Sequence, residues 1–393
     1  MRIQRNSSRL SFRRQRRRRT GCFSLAVLLG VLVGAAALSI NWLGARLHFN
    51  APGESDALSA AQGAFERGDL DGAISHARLA LEANPDNEAA LLLLARALVY
   101  RSYTDYNRAI DRQLALEVTS AALANNPASA NLLAIHAYAL QAAGQPLEAA
   151  RIAEQALDRD ADNTLARIAL GLSYASVGSF EIALRESQQA SQGDGWQIES
   201  QRAIAISSSD LGDYQGAIKA IDRALGLNRH LLPLYFERAL YALQIGDTGA
   251  ATAAYYQVLT YDPDNVKVRL RLCELSSLLR ERDTALRYCE EVTDLAPSWS
   301  DGWYQLGMEY FLQGSFAQAR DALHRCSTLQ VMQNVPVSER RFECWYLQGQ
   351  AAEIIGDCPN LLATYNEYRA MTADATIPQR WTYPPEGPPG CGG

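Results

Sequence analysis

The strongest constraint on this chain is a small residue that returns with a period of 34 positions. Counting from Glu54, segments in one register begin at 54, 88, 130, 164, 198, 232, 266, 300 and 342, and the eighth position of each is Ala61, Ala95, Ala137, Gly171, Ala205, Ala239, Cys273, Gly307 and Gly349. The twentieth position is alanine in the first eight segments, from Ala73 to Ala319, and Leu361 in the ninth. Small residues so placed, flanked by apolar residues at helical spacing, describe two short helices whose axes approach to about 8 to 10 Å. One such pair cannot bury its own apolar face. It needs neighbours above and below, so the pattern specifies a stacked array.

The punctuation fits helix pairs. Glycine at the fifteenth position (Gly68, Gly144, Gly178, Gly212, Gly246, Gly314, Gly356) ends the first helix, and proline at the thirty-second (Pro85, Pro127, Pro263, Pro297) separates one pair from the next. The eighth segment is the clearest copy, with Trp303, Leu306, Gly307, Tyr310, Gly314, Phe316 and Ala319. Its order, W-x2-L-G-x2-Y followed by alanine and an apolar residue, resembles the tetratricopeptide repeat family, and the resemblance covers residues 54–375. It implies an all-α, right-handed superhelical solenoid of about nine helix pairs. It also implies that the first helices line a concave groove that holds a peptide or partner helix.

Positions 2, 5, 6, 9, 12 and 13 of each first helix are expected to face that groove. In the carboxyl-terminal half they include Phe236, Lys267, Arg271, Tyr304, Met308, Phe311 and Tyr346, which we take as candidate partner-binding residues; the aromatics among them either anchor an apolar segment or pack between units. The family's carboxylate clamp is incomplete. Lys267 and Arg271 match its third part and Arg202 stands for a lysine, but Ile206 and Glu237 replace both asparagines. A receptor for acidic chaperone tails is therefore disfavoured. Gln201 and Ser208, where large apolar residues are usual, suggest a looser contact in the fifth segment.

Two segments carry extra length. One insertion lies around Tyr100 to Arg108 and the other between Leu329 and Arg341, where Pro336 prevents one uninterrupted helix. Insertions in solenoids map to loops, either on the binding face or as tolerated surface length. After Ala375 the composition turns to proline and glycine, and residues 376–393 are expected to be an extended or disordered tail unless Trp381 and Tyr383 fold back onto the last helix.

The amino terminus differs from the array. Residues 1–21 hold nine arginines and no acid, and the stretch 22–43, from Cys22 to Leu43, has no charge. Such a stretch is long enough to span roughly 30 Å of hydrocarbon, and an abutting arginine cluster stays cytoplasmic. We expect a signal anchor, a linker over 44–53, and an array outside the cytoplasm. The alternative is a secreted chain cleaved near Ala37, because Ala35 and Ala37 form an A-x-A pattern. Gly30 and Gly34 form a small-residue face suited to self-association of the span. Nucleic acid is not an expected partner.

No catalytic, metal or cofactor pattern is present: five scattered histidines, no P-loop, no glycine-rich dinucleotide motif and no G-x-S-x-G. The chain reads as a non-enzyme. His136 is expected to be a satisfied structural histidine. Six of the seven cysteines lie beyond residue 270. Either they pair as neighbours, Cys273 with Cys289, Cys326 with Cys344 and Cys358 with Cys391, or Cys273, Cys289 and Cys326 simply replace alanine in the core. The function expected is a membrane-anchored scaffold for protein partners. Alternatives are an assembly or export factor, or a non-catalytic regulatory subunit of a membrane enzyme or envelope-biogenesis machine.

Overall fold

The computed structural model of this chain describes residues 54–193, 195–373, 381–384, 387–388 and 391. The arginine-rich segment, the expected span over 22–43 and the Gly30/Gly34 face lie outside the described residues. Among the described residues no helix is long and apolar enough to cross a membrane.

The described residues form eighteen α-helices and no strand. The first six are α1 (Glu54–Glu66), α2 (Leu70–Ala83), α3 (Glu88–Thr104), α4 (Ile110–Asn125), α5 (Ala130–Ala142) and α6 (Pro146–Arg159). The next six are α7 (Thr164–Ser176), α8 (Phe180–Ala190), α9 (Gln197–Asp210), α10 (Tyr214–Leu227), α11 (Leu232–Gln244) and α12 (Thr248–Tyr261). The last six are α13 (Val266–Leu278), α14 (Arg282–Leu295), α15 (Ser300–Leu312), α16 (Phe316–Met332), α17 (Glu343–Ile354) and α18 (Cys358–Met371), with a 3-10 turn at Val337–Glu339 before α17. They pair in chain order, each packing on the next, into an all-helical solenoid of nine pairs.

The ends of these helices are set locally. Side chains of Asn87, Ser129, Asn163 and Asn265 accept hydrogen bonds from backbone N–H groups in the first turns of α3, α5, α7 and α13. Asp69, Asp213, Asp247 and Asp357 do the same for α2, α10, α12 and α18, satisfying donors that a helix start otherwise leaves open. The turn inside every pair except the second runs through a residue with positive φ. In the seventh pair that residue is Arg280, at φ 63°, which adopts the turn without the ease of glycine.

Curvature follows from which helices meet. First helices of successive pairs touch (α1 with α3, α3 with α5, α5 with α7, α7 with α9, then α13 with α15 and α15 with α17), so the first helices lie on the inside. The inner row is interrupted around α11, which instead packs across the turn against α3, four pairs earlier.

Both insertions lengthen the helix that precedes them and continue outside it, over 105–109 and 333–342, the latter containing the 3-10 turn. α3 has 17 residues where α1 and α5 have 13, and α16 also has 17. α16 stops at Met332, before Asn334 at φ 53° and Pro336. The core is laid down in blocks. One runs from Ala61 to Tyr241, a second from Tyr235 to Ala322, and a third joins Cys326, Cys344, Trp345, Leu361, Tyr365 and Tyr368 to Trp381. The described part of the tail is therefore packed. Trp381 is only 5% exposed and lies over Gly349, where an added Cβ would meet the indole at 2.2 Å.

Candidate functional site

The inner face has two parts of opposite character. In pairs two to five it is filled by the chain's own polar and aromatic groups. Arg96 donates to both carboxylate oxygens of Glu199, at 2.6 and 2.8 Å, and its guanidinium lies over Phe65 at 4.4 Å and Trp196 at 4.9 Å. Trp196 reaches that position from a backbone at φ 51°, a conformation that costs a side-chain-bearing residue about 1 to 2 kcal/mol. Arg202 donates to Glu237 at 2.6 Å and lies over Tyr103 at 5.1 Å. Tyr100 and Tyr138 are 1% exposed, and burial pushes both phenols up, Tyr100 well above its ordinary value. Their hydroxyls have no hydrogen-bond partner among the described residues, and the same holds for Ser207 Oγ and Glu237 Oε2.

In pairs six to nine the face is open. Phe236, Glu237, Leu240, Leu243, Tyr255, Lys267, Arg271, Glu274, Leu275 and Leu278 line a depression of about 460 Å³. Large apolar side chains at inner positions stand in solvent, Leu240 at 51% and Leu278 at 72% exposure in the wall of the depression and Leu312 at 50% and Ile354 at 54% in the next two pairs.

The residues singled out from the sequence are distributed as follows. Phe236, Lys267 and Arg271 meet in the depression, but Lys267 is engaged: Nζ lies 4.6 Å above the Phe236 ring and donates to the Tyr103 carbonyl at 2.6 Å. Burial, with Arg271 close by, lowers the Lys267 pKa to about 8. Arg271 pairs with Glu274 at 2.6 Å. Tyr304 is half-buried under the guanidinium of Arg341, at 4.4 Å, and Arg341 also pairs with Asp301. Phe311 packs edge-on against Phe316, Met308 is half-buried, and Tyr346 meets the indole of Trp381 at 5.8 Å. Leu240, Leu278, Leu312 and Ile354 were not singled out, although they stand at inner positions nine and thirteen. The signal available was Leu278, Leu312 and Ile354 at position thirteen of the last three pairs, with Leu240 at position nine of the sixth, which exposure alone separates from core.

Disulfides join Cys273 to Cys289 between α13 and α14, Cys326 to Cys344 across the second insertion, and Cys358 to Cys391, with Cα–Cα distances of 5.4, 5.9 and 5.3 Å. His136 Nδ1 lies 3.0 Å from Thr119 Oγ1, and burial lowers its pKa. Among the described residues no group of three or more His, Cys, Asp or Glu is placed to hold a metal ion.

Comparison with known proteins locates this arrangement. Residues 202–272 match the family described as tetratricopeptide repeat. No curated protein matches the chain. The crystal structure of the APC/C hetero-tetramer Cut9-Hcn1 superposes with a TM-score of 0.53 at 17% identity, covering 77% of this chain and 57% of that one, so this chain spans little more than half its length. A human IFIT1 dimer with PPP-AAAA gives 0.48 at 15% identity, covering 78% of this chain and 70% of that one. Pseudomonas aeruginosa pilF gives 0.40 at 20%, with 58% and 96% covered. The likeness to Cut9 is one of fold: the chain is an all-helical, tetratricopeptide-type solenoid, an architecture suited to a protein-interaction scaffold.

Proposed function

We propose that this chain is a membrane-anchored scaffold that holds an apolar segment of another protein on the inner face of its last four helix pairs. The observation that carries the reading is the set of exposed side chains Leu240 and Leu278, which line the depression with Phe236 and Lys267, and Leu312 and Ile354 at inner positions of the next two pairs. Exposed apolar surface of this kind, with Arg271 and Glu274 at the depression, is what a partner covers. The uncharged stretch 22–43 beside an arginine cluster supports an anchor with the array outside the cytoplasm. Three disulfides support an oxidising compartment for the array.

The test places a photo-crosslinking residue at Leu278, Leu312 or Ile354 of the full chain in native membranes, with Leu147 on α6, 75% exposed, as control. One protein captured from all three inner positions and not from Leu147 is the expected result. Capture of nothing, or the same mixture from all four positions, overturns the reading.

A further inference from the structure

A solenoid is ordinarily a chain of nearest-neighbour contacts, so each pair frays or extends with little effect on distant ones. This one is fastened across a whole turn. The fastening begins at the first insertion, where α3 continues to Thr104 and carries Tyr103, Asp105 and Tyr106 over to the seventh pair. There Lys267 Nζ donates to the Tyr103 carbonyl at 2.6 Å, Asn265 Nδ2 donates to the Thr104 carbonyl at 3.0 Å, and the Lys267 amide donates to Asp105 Oδ1 at 3.2 Å. Tyr106 stacks on Trp299 with ring centroids 4.5 Å apart, and both rings cover a small core of Val266, Leu270, Val292 and Ala296.

A second fastening lies at the turn of the first pair. Asn228 Nδ2 donates to the Phe65 carbonyl at 3.2 Å, and Gly68 is pressed so closely on His230 that an added Cβ would stand 2.6 Å from its carbonyl oxygen. These contacts join residues more than 160 positions apart, as the Asn228–Phe65 separation of 163 and the Lys267–Tyr103 separation of 164 record. Between the two fastenings α11 packs on α3, and Tyr100, Tyr138 and Glu199 on the inner side of pairs two, three and five are buried.

We propose that the insertion segment Tyr103–Tyr106 is a latch that closes the first superhelical turn on the seventh pair, so that pairs one to seven open and close as one body. The closed state keeps Arg96, Tyr100, Tyr138 and Glu199 away from any partner and leaves only the last four pairs accessible. Opening exchanges the Tyr106–Trp299 stack, the two carbonyl bonds and the Lys267 amide bond to Asp105 for water and uncovers the polar inner face. Hydrogen bonds to two backbone carbonyls and to Asp105, with one aromatic stack, form a seam that holds no covalent bond, as a reversible closure requires.

The experiment is hydrogen–deuterium exchange on the full chain carrying Tyr106→Ala, read at the end of the seam that the substitution does not touch. The expected result is at least a tenfold faster exchange of Phe65–Leu70 and Asn228–Leu231, with the remote turn 143–145 unchanged and helical content intact. Faster exchange confined to 103–108, 265–267 and 299 overturns the proposal, because the seam is then a set of independent contacts; so does no change at any of these sites. Should Tyr106→Ala lose its helical signal, Lys267→Met, which removes the Nζ donor and keeps the aliphatic stem, is read by the same criteria.

Discussion

The same repeat position has opposite fates in the two halves of this molecule. At inner position nine, Tyr138 and Leu172 of pairs three and four are 1 and 4% exposed against 51% for Leu240 of pair six; at position thirteen, Tyr100 of pair two is 1% exposed, whereas Leu278, Leu312 and Ile354 of pairs seven to nine are 72, 50 and 54% exposed. The helices carrying them are built alike. What differs is what lies opposite: the first turn curls back until α11 meets α3, while the last pairs have nothing across from them among the described residues. The halves are also held differently. The first is closed by long-range hydrogen bonds and ion pairs, the second by three disulfides and an indole packed on its end. Burial at a repeat position is therefore a property of the superhelix, not of the repeat.

The contrast can be broken from either side. The largest effect is expected from Ala319→Glu, which forces a charge into a fully buried contact of the eighth pair; more than about 5 kcal/mol of local stability is lost. Proteolysis should then enter the last pairs first and leave the closed turn protected. Next comes Glu199→Ala, which strands the largely buried Arg96 guanidinium at a cost of about 3 to 5 kcal/mol, seen as a lower urea midpoint. The joint replacement of Arg96 and Glu199 by Met and Leu should restore most of that loss, because no buried charge then remains unpaired.

Reduction of the Cys358–Cys391 bond, which closes a loop of 33 residues, should cost about 3 kcal/mol in the end pair and release Trp381. Tryptophan fluorescence would shift to the red, while exchange in the first six pairs stays as it was. The smallest effect concerns pH. Lys267 has a folded pKa of about 8 against an ordinary 10.5, so between those values the folded chain binds fewer protons than the unfolded one and its stability rises with pH. The buried phenols of Tyr100 and Tyr138, raised by burial, act in the opposite direction once unfolded tyrosine ionises near 10. The contribution of Lys267 is therefore the difference between wild type and Lys267→Met in urea midpoints taken at pH 8 and 9.5, and that difference should grow with pH.

How much of this was readable beforehand depends on the range of the interaction. Small residues at positions eight and twenty, glycine in the turns and Asn or Asp before the helices act within about 34 residues, and each leaves its mark in the local sequence. The site was only partly legible. Phe236 and Lys267 stood out as an aromatic and a charge at inner positions, yet nothing near Lys267 in the chain signals that its ammonium is spent on the Tyr103 carbonyl, 164 residues away. Arg202 and Glu237, which read as fragments of a failed clamp, pair with each other. The insertion at Tyr100–Arg108 looked like surplus length because its partners, Asn265, Lys267 and Trp299, are adjacent only after the solenoid has turned once.

The sequence by itself determined the helical pair, its period and the stacking of pairs, because a half-buried helix must find its apolar complement in the next unit. The tertiary structure alone decided which inner positions are core and which are surface. Small rotations at each interface add up along the array, and only their sum brings α3 against α11 and leaves Leu278, Leu312 and Ile354 facing water.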